Sequence, residues 1–167
     1  MNDELRFLTA HNGWANRRTV RFLQDLDPAS LHWSLPGGMF GTIMETLAHM
    51  IDSEGGYLFD LGATDREPWP LGEPADLATW LTRVDLAESL WDAWLARGPV
   101  DFESPREFNA DDGSFEVVTG LFVAQALTHS AEHRGQIGSI LGAHGVEPPS
   151  FSSWGFGFAT GRMREKS

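Results

Sequence analysis

Between Thr119 and Ala143 the chain reads TGLFVAQALTHSAEHRGQIGSILGA, a run without proline in which Phe122, Ala126, His129, His133, Ile137 and Ile140 follow at intervals of four, three, four, four and three. Residues so spaced share one face of an α-helix. The pattern predicts a helix over 119–143 with Thr119 as its N-cap, and it puts two histidines on the face that turns inward. An imidazole without a partner in an apolar interior costs free energy, so something must satisfy both rings. Histidines four apart on a helix stand about one turn from each other, and both can reach one metal ion. Two core histidines hydrogen-bonded to neighbours satisfy the same pattern.

Upstream, Phe108 and Phe115 flank Asp112–Gly113, a dipeptide suited to a type I′ turn, and the short alternating runs of residues 100–117 predict a small hairpin. Before it, Asp76 caps a predicted third helix with Leu77, Leu81, Val84, Trp91 and Leu95 on one face, stopped by Gly98 and Pro99. Pro68, Pro70 and Pro74 mark the connection from a second helix over 41–62, whose stripe is Met44, Leu47, Ile51, Leu58 and Leu61 and whose middle Gly55 and Gly56 weaken. A first helix is expected over 3–26. There Leu5, Leu8, Ala15, Phe22, Leu23 and Leu26 are apolar, Asn12 and Thr19 interrupt the stripe, and Pro28 ends the run. After Ala143, the residues Phe151, Trp154, Phe156 and Phe158 make the tail too aromatic for a solvated linker, and it is expected to pack on the body. Four helices with a hairpin inserted between the third and fourth point to an all-α helical bundle. No repeat or shift of composition divides the chain, so one domain over 1–167 is expected.

Composition narrows the chemistry. Hydrophobic residues at 41% can build a sizeable core. With 24 acidic and 12 basic side chains the formal charge is -12, so a polyanion approaches against the protein's own field, and nucleic acid and anionic membrane are poor partners. The longest uncharged stretch, Pro28–Met44, is broken by Pro36, Gly37 and Gly38, and Val117–Ala131 falls short of the roughly 20 residues of a membrane span. Asp3 and Glu4 stand where an export signal would be basic, so the cytoplasm is the expected compartment. The chain has no cysteine, which excludes disulfides, thiolate metal sites and a protein-borne thiol nucleophile; any thiol chemistry must use an outside thiol.

A third ligand would distinguish a metal site from a pair of core histidines. His49 is the best candidate, yet its helical angle places it nearly opposite Leu47, Ile51 and Leu58. Its face, shared with Thr42, Glu45, Thr46, Asp52 and Ser53, is either solvated or lines a polar cleft, and periodicity alone places it in water. His11, His32 and His144 read as structural.

The run Leu127–Ile137, LTHSAEHRGQI, resembles the H-x-x-x-H-R-G-Q-I signature of the DinB-like (YfiT-like) metalloenzymes. The segment Glu45–Asp52, ETLAHMID, is similar to the family's earlier histidine segment, and Gly13–Asn16, GWAN, to its first helix. This resemblance implies a four-helix bundle in which His49, His129 and His133 hold one divalent ion, zinc or nickel, at a cleft open to solvent, and it overrules the solvated reading of His49. It also implies enzymes that use a low-molecular-weight thiol such as mycothiol, bacillithiol or glutathione, and homodimers paired through bundle helices. Three imidazoles leave a coordination position for water or substrate, and a thiol entering it would lose its proton and become a nucleophile toward an electrophile. Asp52 or Glu45, one turn to either side of His49, can accept that ring's other N–H. Arg134 and Gln136 can bind a substrate carboxylate, and Arg134 can equally form a surface ion pair.

The expected function is therefore a metal-dependent thiol transferase, with a non-catalytic metal-binding bundle or sensor as the alternative. More remotely, His129–Ser–Ala–Glu132–His133 fits the H-x-x-E-H pattern of inverted zinc peptidases, with Glu132 as general base. For Glu132 a solvent-facing acid is the plainer role.

Overall fold

A computed structural model describes residues 2–37, 41–65, 67–69, 76–110 and 113–166, with the backbone alone at Ala110. Helix α1 spans Asp3–Gln24, and a 3-10 turn follows at Pro28–His32. Helices α2 and α3 span Ile43–Asp60 and Leu77–Leu95. Strands β1, Pro105–Ala110, and β2, Gly113–Val118, precede α4, Thr119–Ala143, and a short α5, Ser153–Ala159, closes the order. The fold is mostly helical with one antiparallel hairpin.

Local chemistry sets the helix starts. Thr42 and Glu45 form a reciprocal cap on α2: the Glu45 backbone N–H donates to Thr42 Oγ1 at 3.2 Å, and the Thr42 N–H donates to Glu45 Oε2 at 2.7 Å. The Asp76 carboxylate accepts from the Thr79 N–H at 2.7 Å and starts α3. Helix α4 begins differently from expectation. Thr119 is its first residue rather than its N-cap, and its N–H and hydroxyl both donate to the Ser104 carbonyl, at 2.9 and 3.0 Å, while the Gly120 N–H donates to Phe102 at 2.9 Å. Carbonyls of the preceding loop thus satisfy donors that a capping side chain would otherwise take.

In the hairpin Phe108 pairs with Phe115 and Glu107 with Glu116, which corrects the expected position of the turn: centred on Asp112–Gly113 it would set Phe108 opposite Val117, whereas Gly113 is the first residue of β2 and pairs with Ala110. Asp112 of that turn lies outside the described residues, as do Pro70 and Pro74.

Helix α1 lies against α3 and α4, and α2 against α4 and α3. Their shared interior holds Val20, Leu23, Leu47, Met50, Ile51, Leu58, Trp80, Trp91, Ile137 and Leu141. Fully burying each large apolar side chain contributes roughly 1.5–3 kcal/mol. Two expectations for α1 are corrected. Leu8 is half exposed, and Asn12, Asn16 and Thr19 are buried, because the helix turns a polar edge inward to meet polar partners described below.

The tail packs through Phe156, whereas Trp154 and Phe158, expected to pack with it, stay exposed. Phe156 of α5 is buried against Phe7, His11 and Trp14, with ring centroids 5.4, 5.6 and 5.7 Å away. His11 is structural, with its Nε2 3.0 Å from the Phe151 carbonyl, and so is His144, which stacks on Trp33 at 4.4 Å. Among the described residues no helix is long and apolar enough to cross a membrane.

Candidate metal centre

Helix α4 carries His129 and His133 one turn apart, and α2, packed alongside, carries His49 toward them. Their Nε2 atoms converge: His129 Nε2 is 3.1 Å from His49 Nε2 and 3.1 Å from His133 Nε2. His133 is 2% exposed, and the other two are partly buried. The solvated face that periodicity gives His49 is corrected here. Thr46 and Asp52 on the same face are buried too, because α2 is covered on two sides, by α4 and by α3.

His133 Nδ1 lies 2.8 Å from Gln136 Oε1, and in the tautomer that donates this bond Nε2 presents a lone pair to the cluster. His129 Nε2 touches two ring nitrogens and cannot donate to one while accepting from the other in the ring plane. A cation between the three nitrogens satisfies all of them. Nitrogens bound tetrahedrally at ~2.0–2.1 Å from zinc stand about 3.3 Å apart, close to the two separations that His129 Nε2 makes here. The three histidines can therefore hold a metal ion, their ligand atoms lying within 4.8 Å of one another.

For two of the rings the electrostatics agree with neutral, electron-donating ligands. Burial, then the neighbouring His133 and His49, lower the His129 pKa from 6.5 to about 4. Burial and His133 also lower that of His49, against an opposing pull from Asp52. At neutral pH both rings are unprotonated and able to ligate.

The surrounding shell is uneven. Gln136 orients His133, a role different from the substrate contact expected of it. His129 packs edge-on against Tyr57, centroids 5.7 Å apart, and its Nδ1 is buried without a hydrogen-bond partner among the described residues. Asp52 is near enough to His49 to raise its proton affinity, and it is itself held by Arg83, whose Nη1 donates to Oδ1 at 2.7 Å. Arg83 in turn lies over the Trp80 ring at 4.6 Å. Glu45 is engaged in the α2 cap, and its Thr42 hydrogen bonds hold its pKa below the ordinary value.

Arg134 is 4% exposed, so it forms no surface ion pair, and it stands apart from the cleft beside His49. Its Nη1 donates to Asn12 Oδ1 at 2.8 Å and to Asn16 Oδ1 at 2.5 Å. Glu54 completes this interior group. It accepts from Asn12 at 3.0 Å, Asn16 at 2.8 Å and Trp91 Nε1 at 3.0 Å. Sequence reasoning missed Glu54. Its available signal was an acid on α2 whose counterparts, Asn12 and Asn16, stand one turn apart where α1 should be apolar.

A cleft of about 730 Å3 adjoins the triad, with His49 on its wall. Tyr57, Phe59 and Phe108 give it aromatic surface, while Glu45, Asp52, Asp60 and Glu67 make it acidic. Burial and the nearby Glu67 raise the Asp60 pKa. Among the described residues no arginine or lysine lines the cleft. A smaller apolar recess shares Tyr57 and Phe108 with it and is closed by Val117, Leu121 and Phe122. Glu132 is exposed and lines neither, so the H-x-x-E-H reading lacks its general base.

No curated protein matches this chain. The family model for DinB matches residues 1–164, and with a match of that extent the chain belongs to the DinB family.

Proposed function

We propose that this chain is a metal-dependent enzyme that activates a low-molecular-weight thiol for attack on an electrophile. In this reading residues 1–167 form one four-helix bundle of the DinB type, and His49, His129 and His133 hold one divalent ion, zinc or nickel. The observation that carries it is the convergence of three Nε2 atoms from α2 and α4 next to a cleft of substrate size.

A bound ion supplies Lewis acidity, which favours the deprotonated form of a thiol that reaches it. The chain's own residues do the rest. Gln136 fixes the His133 ring, Arg83 holds Asp52 beside His49, and Tyr57 and Phe108 give the cleft an aromatic wall. The absence of cysteine means that the nucleophilic sulfur comes from outside. A homodimer belongs to the same proposal, since Trp154 remains 72% exposed on α5, and sedimentation equilibrium reads the mass directly.

The decisive experiment is metal analysis of the purified protein and of its alanine variants. Wild-type protein is expected to hold one equivalent, and His49→Ala, His129→Ala and His133→Ala to lose most of it. Full stoichiometry and affinity in His49→Ala would remove the third ligand. Because the ion binds the folded state, saturating metal at 100 times its Kd should stabilise the protein by about 2.7 kcal/mol. A metal-loaded protein that no thiol perturbs would instead be the non-catalytic bundle or sensor.

A further inference from the structure

The interior group on the other side of α4 is not used by the chemistry above. It consists of one buried anion, Glu54, and one buried cation, Arg134, joined through two buried amides. Each amide is polarised in one sense: the Nδ2 of Asn12 and Asn16 donates to the carboxylate, and the Oδ1 of each accepts from the guanidinium. Trp91 Nε1 adds a third donor to the carboxylate, from α3. The group therefore ties α1, α2, α3 and α4 together at one level of the interior.

We propose that Asn12, Asn16, Glu54 and Arg134 are positioning residues for the histidine triad, setting the rotation and register of α4 against α2. Arg134 directly follows His133 on α4, and Glu54 lies five residues after His49 on α2. Neighbouring positions on a helix point about 100° apart, so fixing the Arg134 side chain on α1 fixes where His133 points. His129, one turn earlier, moves with it. Glu54 fixes α2 to the same two asparagines. Apolar contacts between α2 and α4 are non-directional and tolerate a small slip or roll, whereas hydrogen bonds lose strength steeply with angle. Three ring nitrogens from two helices need placement to within about 0.5 Å, and the directional group supplies it. The inference also accounts for the Gly13–Asn16 segment of α1, which contributes nothing to the cleft wall.

This inference rests on the metal reading for its purpose, but its test reads geometry separately. In the metal-free protein the His49 and His133 rings, centroids 4.8 Å apart, should give a cross-helix nuclear Overhauser contact. The His129–His133 contact at 4.3 Å lies within α4 and serves as internal control. The double variant Asn12→Ala/Asn16→Ala is expected to lose the cross-helix contact, keep the internal one, and weaken metal binding about 10- to 100-fold. Arg134→Lys should fall between wild type and Arg134→Met.

Val84→Ala, a buried α3 position outside the group, is expected to lower the melting temperature while leaving both the contact and the metal Kd unchanged. If the double variant does not fold, Asn12→Ala alone keeps the Asn16 link and should show the same changes at smaller size. Folded variants with the cross-helix contact intact and wild-type Kd would overturn the inference. Wild-type protein that takes up no metal would instead overturn the metal reading, and the ring contact would still decide the positioning role.

Discussion

His129 is pressed by burial, His133 and His49 until its pKa falls from 6.5 to about 4. In the unfolded chain the ring takes a proton near its ordinary pKa, and in the folded chain only near 4. Between those values the unfolded state binds more protons, so acid favours unfolding. Metal-free protein is expected to lose stability as pH falls from 6.5 toward 4, with this contribution complete above 6.5 and no further loss from this group below about 4. His129→Gln should flatten the dependence of melting temperature on pH within that window. An unchanged slope would mean that the ring is not under this pressure.

The same residue shows what spacing reveals. The pair His129 and His133 was legible because a four-residue interval is geometry internal to one helix. His49 was not, because periodicity describes burial against the nearest neighbours of α2, and the polar side of that helix is covered by residues distant in sequence. His49 was the best third candidate among the histidines, but only the resemblance overruled the solvated face that periodicity gave it.

Along α2, two adjacent glycines look alike in sequence and differ in surroundings. A Cβ on Gly55 would stand 2.4 Å from Trp69 Cζ2, whereas one on Gly56 meets nothing within 4 Å. Gly55 is the seat of a buried tryptophan, and the helix passes through both without a break. Gly55→Ala is expected to destabilise by about 1–3 kcal/mol through overpacking. Gly56→Ala should stabilise by roughly 0.8–1 kcal/mol through helix propensity. Chemical denaturation of both variants checks the pair, and equal effects would contradict the packing argument. Sequence showed the weakened middle of the helix but not which glycine was needed, since Trp69 reaches Gly55 from a separate connection. The starts of α2 and α3 could be read because a cap is formed by residues within one turn. The start of α4 could not, because its donors go to Ser104 and Phe102 across the hairpin.

At the scale of the whole molecule, part of the formal charge of -12 lies where it bears on ligand choice. Four carboxylates line the cleft, and Arg83 pairs with only one of them, Asp52. Glutathione carries a net negative charge at neutral pH, whereas 2-mercaptoethanol and mycothiol carry none. An anionic thiol therefore enters against both the general field and the acids Asp60 and Glu67, which form no ion pair among the described residues. In cobalt-substituted protein at low salt, uncharged thiols are expected to perturb the visible spectrum at lower concentration than glutathione. The difference should shrink at 1 M salt, where the screening length is about 3 Å. Asp60→Asn/Glu67→Gln should shrink it too, without changing metal content, because neither residue belongs to the triad. Glutathione acting at equal or lower concentration in low salt would refute the electrostatic argument. No response to any thiol at millimolar concentration, about the weak end of useful affinity, would remove the thiol from the proposed reaction.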